Sequence, residues 1–377
     1  MKRFLLILLL ALPGAQALCC TTAIVSAGAS KTGRPMIWKQ RDASDVRNGV
    51  YFVQGEKYCY TAVCPVSDAS HTRAYAGMNV AGFAICNNLS YNLRPDSATE
   101  GPFNGQMMAQ ALGCCRTLSD FEALLDARPR PMNLSSNFAV IDAEGGAAYF
   151  EVSDSTWVRY DVPEGGYLYR TNFSLSGDSR RAGAARYATI EDEMRRHAPR
   201  RFVVEFFLDA GRSFVNALTG GDALRGRRGD FLFDHDFIPR DASASSVIIE
   251  GVAPGGRPDS ALMWCVPGYP PCSYAVPVWA AAGEDIPEII SGDAPANEYA
   301  FELCDSLRTL DWDSRYIDVD RLEQVSKAVR RAERAELKAG RKLDAIMRKD
   351  GFDAAAVREF NAAASRRFQE FKGGTAL

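Results

Sequence analysis

Segments that fit β-strands fall in clusters along this chain, and segments that fit helices fall in other clusters. Residues 21–26 and 35–39, joined by the turn Lys31-Thr32-Gly33-Arg34, predict a hairpin. Further strands are predicted at 51–54, 58–63 and 83–87, at 138–141 and 147–152 around the turn DAEGG, at 157–162 and 167–171, and late in the chain at 247–252, 262–266 and 274–279. Helices are predicted at 106–112, after a capping box running from Ser119 to Glu122, at 182–196 and at 203–218. This grouping excludes regular βαβ alternation and predicts a layered α+β body. From Asp318 onward Leu322, Val325 and Val329, then Leu343, Ile346 and Met347, then Val357, Phe360, Ala364, Phe368 and Phe371 recur at helical spacing, which predicts helices docked on that body. Residues 220–230 read as a surface loop.

The chain opens on Lys2 and Arg3, an apolar run over 4–12 and a small-residue exit, the pattern of a secretory leader. The run is too short to span a bilayer comfortably. Cleavage after Ala17 would leave Leu18-Cys19-Cys20 in front, whereas cleavage after Cys19 would expose Cys20. The division expected is therefore a leader at 1–19, a catalytic body at 20–310 and a helical extension at 311–377, with the product secreted or periplasmic and no membrane partner once the leader is gone. Lys and Arg total 44 against 47 Asp and Glu, a net charge of −3, so no basic field points to nucleic acid. His71, His197 and His235 lie far apart, without the spacing of a zinc site, and no cofactor is expected. Ten cysteines in an oxidising compartment make disulfides plausible, with Cys59–Cys64 and Cys265–Cys272 as candidate pairs. Cys114 and Cys115 are vicinal, and Cys86 in an apolar strand also reads as a buried free thiol.

A thiol attacks as thiolate and needs a base to take its proton. With histidines so scarce, a Cys-His pair has little support. A cysteine at residue one brings its own base, an α-amine with an ordinary pKa near ~8. The residues CTTAIVSAG from Cys20, KQRD ending at Asp42, GMNVAGFAICNN (77–88), YRTNFS (169–174), DSRRAGAARY (178–187) and SALMWCVPGYPPCSYAVPVW (260–279) stand in an order that resembles the cysteine N-terminal-nucleophile hydrolases, the superfamily of choloylglycine hydrolases, penicillin V acylases, isopenicillin N acyltransferases and N-terminal-cysteine dipeptidases.

The resemblance implies a four-layer αββα sandwich and acyl transfer through a thioester. It assigns Cys20 as nucleophile, Asp42 as the carboxylate that orients the amine, Asn87 or Asn88 as an oxyanion donor with Asn87 favoured, Asn172 as a second asparagine at the nucleophile, and Arg186 as a cation acting on the thiolate. Lys39 stands where choloylglycine hydrolases carry an arginine, with Arg41 two places on, so either cation is a candidate to face Cys20. Residue chemistry alone also allows Asn87 and Asn88 in a turn, Asp42 paired with Arg41, and Arg186 on a solvated face beside Arg180 and Arg181. Three functions follow: a secreted amidohydrolase or acyltransferase on N-acyl amides, a dipeptidase on the same scaffold acting on short peptides, or a non-enzymatic cysteine-stabilised binding protein. A homo-oligomer is compatible with each.

Overall fold

The computed structural model describes residues 20–93, 103–227, 229–235, 237–308 and 316–375; the leader lies outside the described residues. One sheet is a meander of seven strands in chain order, β3 (Asn48–Val53), β4 (Tyr60–Pro65), β5 (Ala76–Asn79), β6 (Ala84–Leu89), β7 (Ser136–Ile141), β8 (Ala147–Val152) and β9 (Trp157–Asp161), every pair antiparallel. The other has six antiparallel strands in the order β10 (Tyr167–Arg170), β1 (Thr21–Val25), β2 (Met36–Asp42), β14 (Ser243–Glu250), β15 (Leu262–Pro267), β16 (Val276–Trp279). Two short ribbons complete the strands, β11 (Val215–Asn216) with β12 (Gly221–Asp222) and β13 (Phe231–Phe233) with β17 (Tyr316–Asp318).

The sheets stack face to face. The Tyr149 hydroxyl on β8 donates to Thr22 Oγ1 on β1 at 2.9 Å, and the Cys86 thiol on β6 to the Trp38 carbonyl on β2 at 3.9 Å. Helices α1 (Asn104–Cys114) and α2 (Leu118–Ala127) cover the outer face of the meander, where Phe121, Phe138 and Phe150 pack edge to face. Helices α3 (Ala184–His197), α4 (Val204–Ala210), α5 (Pro295–Leu307), α6 (Val319–Asp350) and α7 (Ala354–Thr375) cover the other sheet. The architecture is the expected α+β sandwich of two antiparallel sheets between helical layers. Because β1, β2, β14 and β15 are covered on both faces, they are buried along their whole length and show no polar–apolar alternation.

Helix α6 is seated by close approach. A Cβ at Gly340 would meet the Trp264 ring at 2.9 Å and the Pro277 ring at 3.0 Å, so the helix lies against β15 and β16 only because that position has no side chain. Three of its six acidic residues point inward onto buried or half-buried arginines: Glu333 onto Arg212 at 2.6 Å, Asp344 onto Arg34 at 3.2 Å, and Glu336 onto Arg367 of α7.

Four sequence expectations are corrected. The helix expected over 203–218 stops at Ala210, because Gly211 lies against Gln40 Oε1, where a Cβ would come to 2.9 Å, and the chain turns to bury Phe214 against Phe237. The capping box of α2 is Thr117 with Asp120, not Ser119 with Glu122: Thr117 is the extended residue, and its hydroxyl accepts from the Asp120 amide at 3.1 Å. Helix α5, with Pro295 in its first turn and Tyr299, Ala300, Leu303, Cys304 and Leu307 buried, was not among the elements predicted. The nine described cysteines are free thiols, so neither candidate disulfide is formed. Cys59 donates to Gln54 Oε1 at 2.9 Å while Cys64 is buried inside β4; Cys265 lies inside β15, and the Cys272 thiol meets Cys304 of α5 instead.

Candidate active site

Strand β1 starts directly behind Cys20 and pairs in register with β2, Thr21 opposite Gln40 and Thr22 opposite Lys39, which sets Cys20 beside Arg41 and Asp42 at the end of the strand pair. Strand β2 continues through Lys39, Gln40, Arg41 and Asp42, all four buried, where the sequence placed its end at Lys39. Cys20 is 7% exposed, and its thiol donates to the Asp42 carbonyl at 3.8 Å.

Lys39 and Arg186 hold the two candidate oxyanion amides. The Lys39 ammonium donates to Asn87 Oδ1 at 2.7 Å and to the Tyr75 carbonyl at 2.9 Å. An ammonium only donates, so the amide atom facing it must be oxygen, and the orientation of the Asn87 amide is thereby fixed. Its Nδ2 donates to Ser136 Oγ at 2.9 Å. One N–H of Asn87 is left without a protein acceptor among the described residues, a donor held in place by a lysine on one side and a serine on the other. Asn88 is placed differently: it is fully buried, its Oδ1 accepts from Thr22 Oγ1 at 2.7 Å, and its Nδ2 donates to the Thr171 carbonyl. Of the two neighbouring asparagines, Asn87 is the one that binds a cation and is not wholly buried, 7% exposed against none for Asn88.

Arg186 does the same for Asn172. Its Nη2 donates to Asn172 Oδ1 at 2.9 Å, and its Nη1 to the Cys20 carbonyl at 2.7 Å and to Thr21 Oγ1 at 2.8 Å. Asn172 Nδ2 donates to the Leu89 carbonyl at 2.9 Å. Arg186 is buried in the first turn of α3, which excludes the solvated face for it, whereas Arg180 and Arg181 are exposed. Gly183 just before that turn has φ 78°, and a Cβ there would come to 2.4 Å from Arg186 Nη2, so glycine serves both the left-handed turn and the passage of the guanidinium.

Asp42 accepts from Ser243 Oγ through Oδ1 at 2.7 Å, while its buried Oδ2 has no partner among the described residues. Burial pushes this carboxyl up to about 7, against the pull of Arg186, Arg240 and the Ser243 hydroxyl. Asp42 is not paired with Arg41. The Arg41 guanidinium lies over the Tyr75 ring, 3.6 Å from its centroid, and donates to the Asp45 carbonyl at 2.9 Å. Burial pulls Lys39 down from the usual lysine range, with Cys20 and then Cys86 the largest opposing influences.

Ser136 and Ser243 are absent from the sequence expectations: each is the first residue of an ordinary strand, and only the fold brings its hydroxyl to Asn87 or Asp42. A hollow of about 600 Å³ between Phe214, Leu224, Val319 and Leu322 is not lined by Cys20, whose surrounding groups are gathered by hydrogen bonds instead.

No protein-family model matches this chain, and no curated protein does. Among solved structures it is similar to a Caenorhabditis elegans N-acylethanolamine-hydrolyzing acid amidase ortholog, at 13% identity over 63% of this chain and 93% of that one, TM-score 0.38. It is similar to penicillin V acylase from Agrobacterium tumefaciens, at 14% identity over 70% and 86%, TM-score 0.39. It is also similar to a mutant of the conjugated bile acid hydrolase from Clostridium perfringens, at 11% identity over 66% and 89%, TM-score 0.40. At such identities the chemistry of this chain rests on its own residues, with Cys20 at the head of a buried strand pair and two asparagine amides each pinned by a cation.

Proposed function

We propose that this chain is a cysteine amidohydrolase of the N-terminal-nucleophile type, secreted or periplasmic, that cleaves linear N-acyl amides through a thioester on Cys20. The observation that supports it most is the pairing of Lys39 with Asn87 and of Arg186 with Asn172 beside that thiol. Removal of residues 1–19 would give Cys20, whose thiol meets the Asp42 carbonyl, a free α-amine, and Asp42 Oδ2 has no partner among the described residues. That amine takes the thiol proton, and Sγ bonds to the amide carbon. The oxyanion accepts from Asn87, with Asn172 as the second amide. The C–N bond breaks as the amine returns its proton to the leaving nitrogen. Water then adds to the thioester, Sγ leaves, and the acyl group departs as a carboxylic acid. Each donor aimed at the oxyanion contributes about 3–4 kcal/mol to the barrier reduction.

The test joins N-terminal sequencing of the exported protein to trapping of the acyl-enzyme. A chain that starts at Cys20 and gains the mass of an acyl group from an N-acyl amide, with no gain in Cys20→Ala, is the expected result. A stable exported chain starting at Leu18 and showing no thioester would sink the proposal.

A further inference from the structure

Helix α6 carries ten lysines and arginines against six acidic residues, mixed along the sequence so that no charge block is visible. The fold separates them. Between Lys327 and Lys349 the acidic residues are Glu333, Glu336 and Asp344; all three are buried, and each binds a buried or half-buried arginine of the body or of α7. The nine cations of that stretch are all exposed. At about 100° per residue they fall within an arc of ~120°, along about 33 Å of helix. Arg331, Arg334, Lys338, Lys342 and Lys349 have no ion pair among the described residues. A chain of net charge −3 thus presents one straight, predominantly cationic ridge, in which Lys327 pairs with Glu323, Arg341 with Glu205 and Arg348 with Asp344.

From this ridge we infer a peripheral docking site for an anionic lipid surface. The opposite side of α6 is fixed to the body by Gly340 against Trp264 and by the three inward carboxylates, so the ridge is presented as one rigid face. It has no aromatic residue on which bases could stack. A flat plane of phosphate head groups matches a straight row of cations on a rigid body, and Ile346, 46% exposed, adds an apolar contact at the rim of the arc. No described helix is long and apolar enough to cross a membrane, so the contact proposed is one of surface only. It revises the sequence expectation of no membrane partner and is independent of the chemistry at Cys20.

The full chain is sedimented with phosphatidylcholine vesicles, with and without about one third phosphatidylglycerol, at ~50 mM and ~0.3 M salt. The wild type is expected on the anionic vesicles at low salt, with binding weakened at least about tenfold at high salt. Replacing Arg331, Arg334, Lys338 and Lys342 together by Gln lowers binding by about tenfold or more with circular dichroism and melting unchanged, while Arg331→Lys with Arg334→Lys keeps it. Equal binding to neutral vesicles, as the apolar N-terminal run alone would give, overturns the inference. So does a Gln variant that binds like the wild type. Capture by polyglutamate without vesicle binding would reassign the ridge to acidic proteins and equally overturn it.

Discussion

Around Cys20 and beneath α6 this protein buries cations in two different ways. Under the helix Arg34, Arg212 and Arg367 each face a carboxylate. At the site Lys39 and Arg186 bind, among the described residues, only neutral oxygens, from two carboxamides, two carbonyls and a threonine hydroxyl. Both arrangements satisfy the donors, but only the first cancels the charge. A carboxylate partner makes the cation an adhesive. A carbonyl or carboxamide partner leaves a positive potential in a water-poor place, where it favours a thiolate or an oxyanion. Asp42 does not cancel this field fully, since a carboxyl raised to about 7 is partly protonated near neutral pH.

The comparison breaks first, and most severely, under α6. Arg212→Met strands Glu333 without its ion-pair partner and is expected to cost about 3–5 kcal/mol of unfolding free energy, with turnover per folded molecule unchanged. Adding Glu333→Leu restores most of that loss, because two apolar groups replace a desolvated pair. Urea unfolding measures both, and a single variant as stable as the wild type would contradict the adhesive role. At the site the effect inverts. Lys39→Met or Arg186→Met is expected to lower kcat/KM by about 10²–10³, while stability moves by less than about 2 kcal/mol: acceptors lose a donor, but a desolvated charge is relieved. If rate and stability fell together in both regions, the distinction between them would be empty.

Why the sequence showed one of these regions better than the other follows from the same chemistry. Cys20, Asp42, Asn87, Asn172 and Arg186 could be singled out as candidates because each belongs to a short ordered motif, and the layered fold was legible from clustered strands. The end of β2 was not: Lys39, Gln40, Arg41 and Asp42 look like the polar exit of a strand, yet the site buries all four inside it. Ser136 and Ser243 gave no signal, since a serine in a strand is ordinary until a distant segment meets its hydroxyl. The cationic ridge of α6 gave no signal, because its buried acids lie between its exposed cations in sequence and only the helical turn sorts them. Cysteine spacing misled for a related reason: Cys272 meets Cys304, thirty-two residues away, rather than its near neighbour Cys265.

The pH dependence of stability sharpens the account of Asp42. Its carboxyl is raised from the ordinary 3.8 to about 7, chiefly by burial, so between these values the folded chain holds a proton that the unfolded chain has lost. Its contribution to stability is complete below the unfolded value and is lost as pH rises through about 7. Comparing unfolding at about pH 4 and about pH 8, the wild type is expected to lose more stability than Asp42→Asn on going up. Parallel profiles for the two chains would show that the buried carboxyl titrates normally.

The smallest effect is expected at Ser243, and it tests whether a residue outside the reacting groups sets their chemistry. Its hydroxyl donates to Asp42 Oδ1 and accepts from the Arg240 amide at 3.0 Å and from Gln40 Nε2 at 3.3 Å, so it ties Asp42 to β2 and to the loop before β14. Removing the hydroxyl takes away one of the influences that hold the Asp42 carboxyl down against burial. Ser243→Ala should therefore move the acidic limb of kcat/KM to higher pH and lower the rate at neutral pH by about tenfold, the scale of one lost hydrogen bond to a charged group. Ser243→Thr, which keeps a hydroxyl, should return the limb toward its original position. A purely structural serine would lower the whole profile by a constant factor and leave the limb in place, and that outcome would remove Ser243 from the machinery of the site while leaving Asp42 within it.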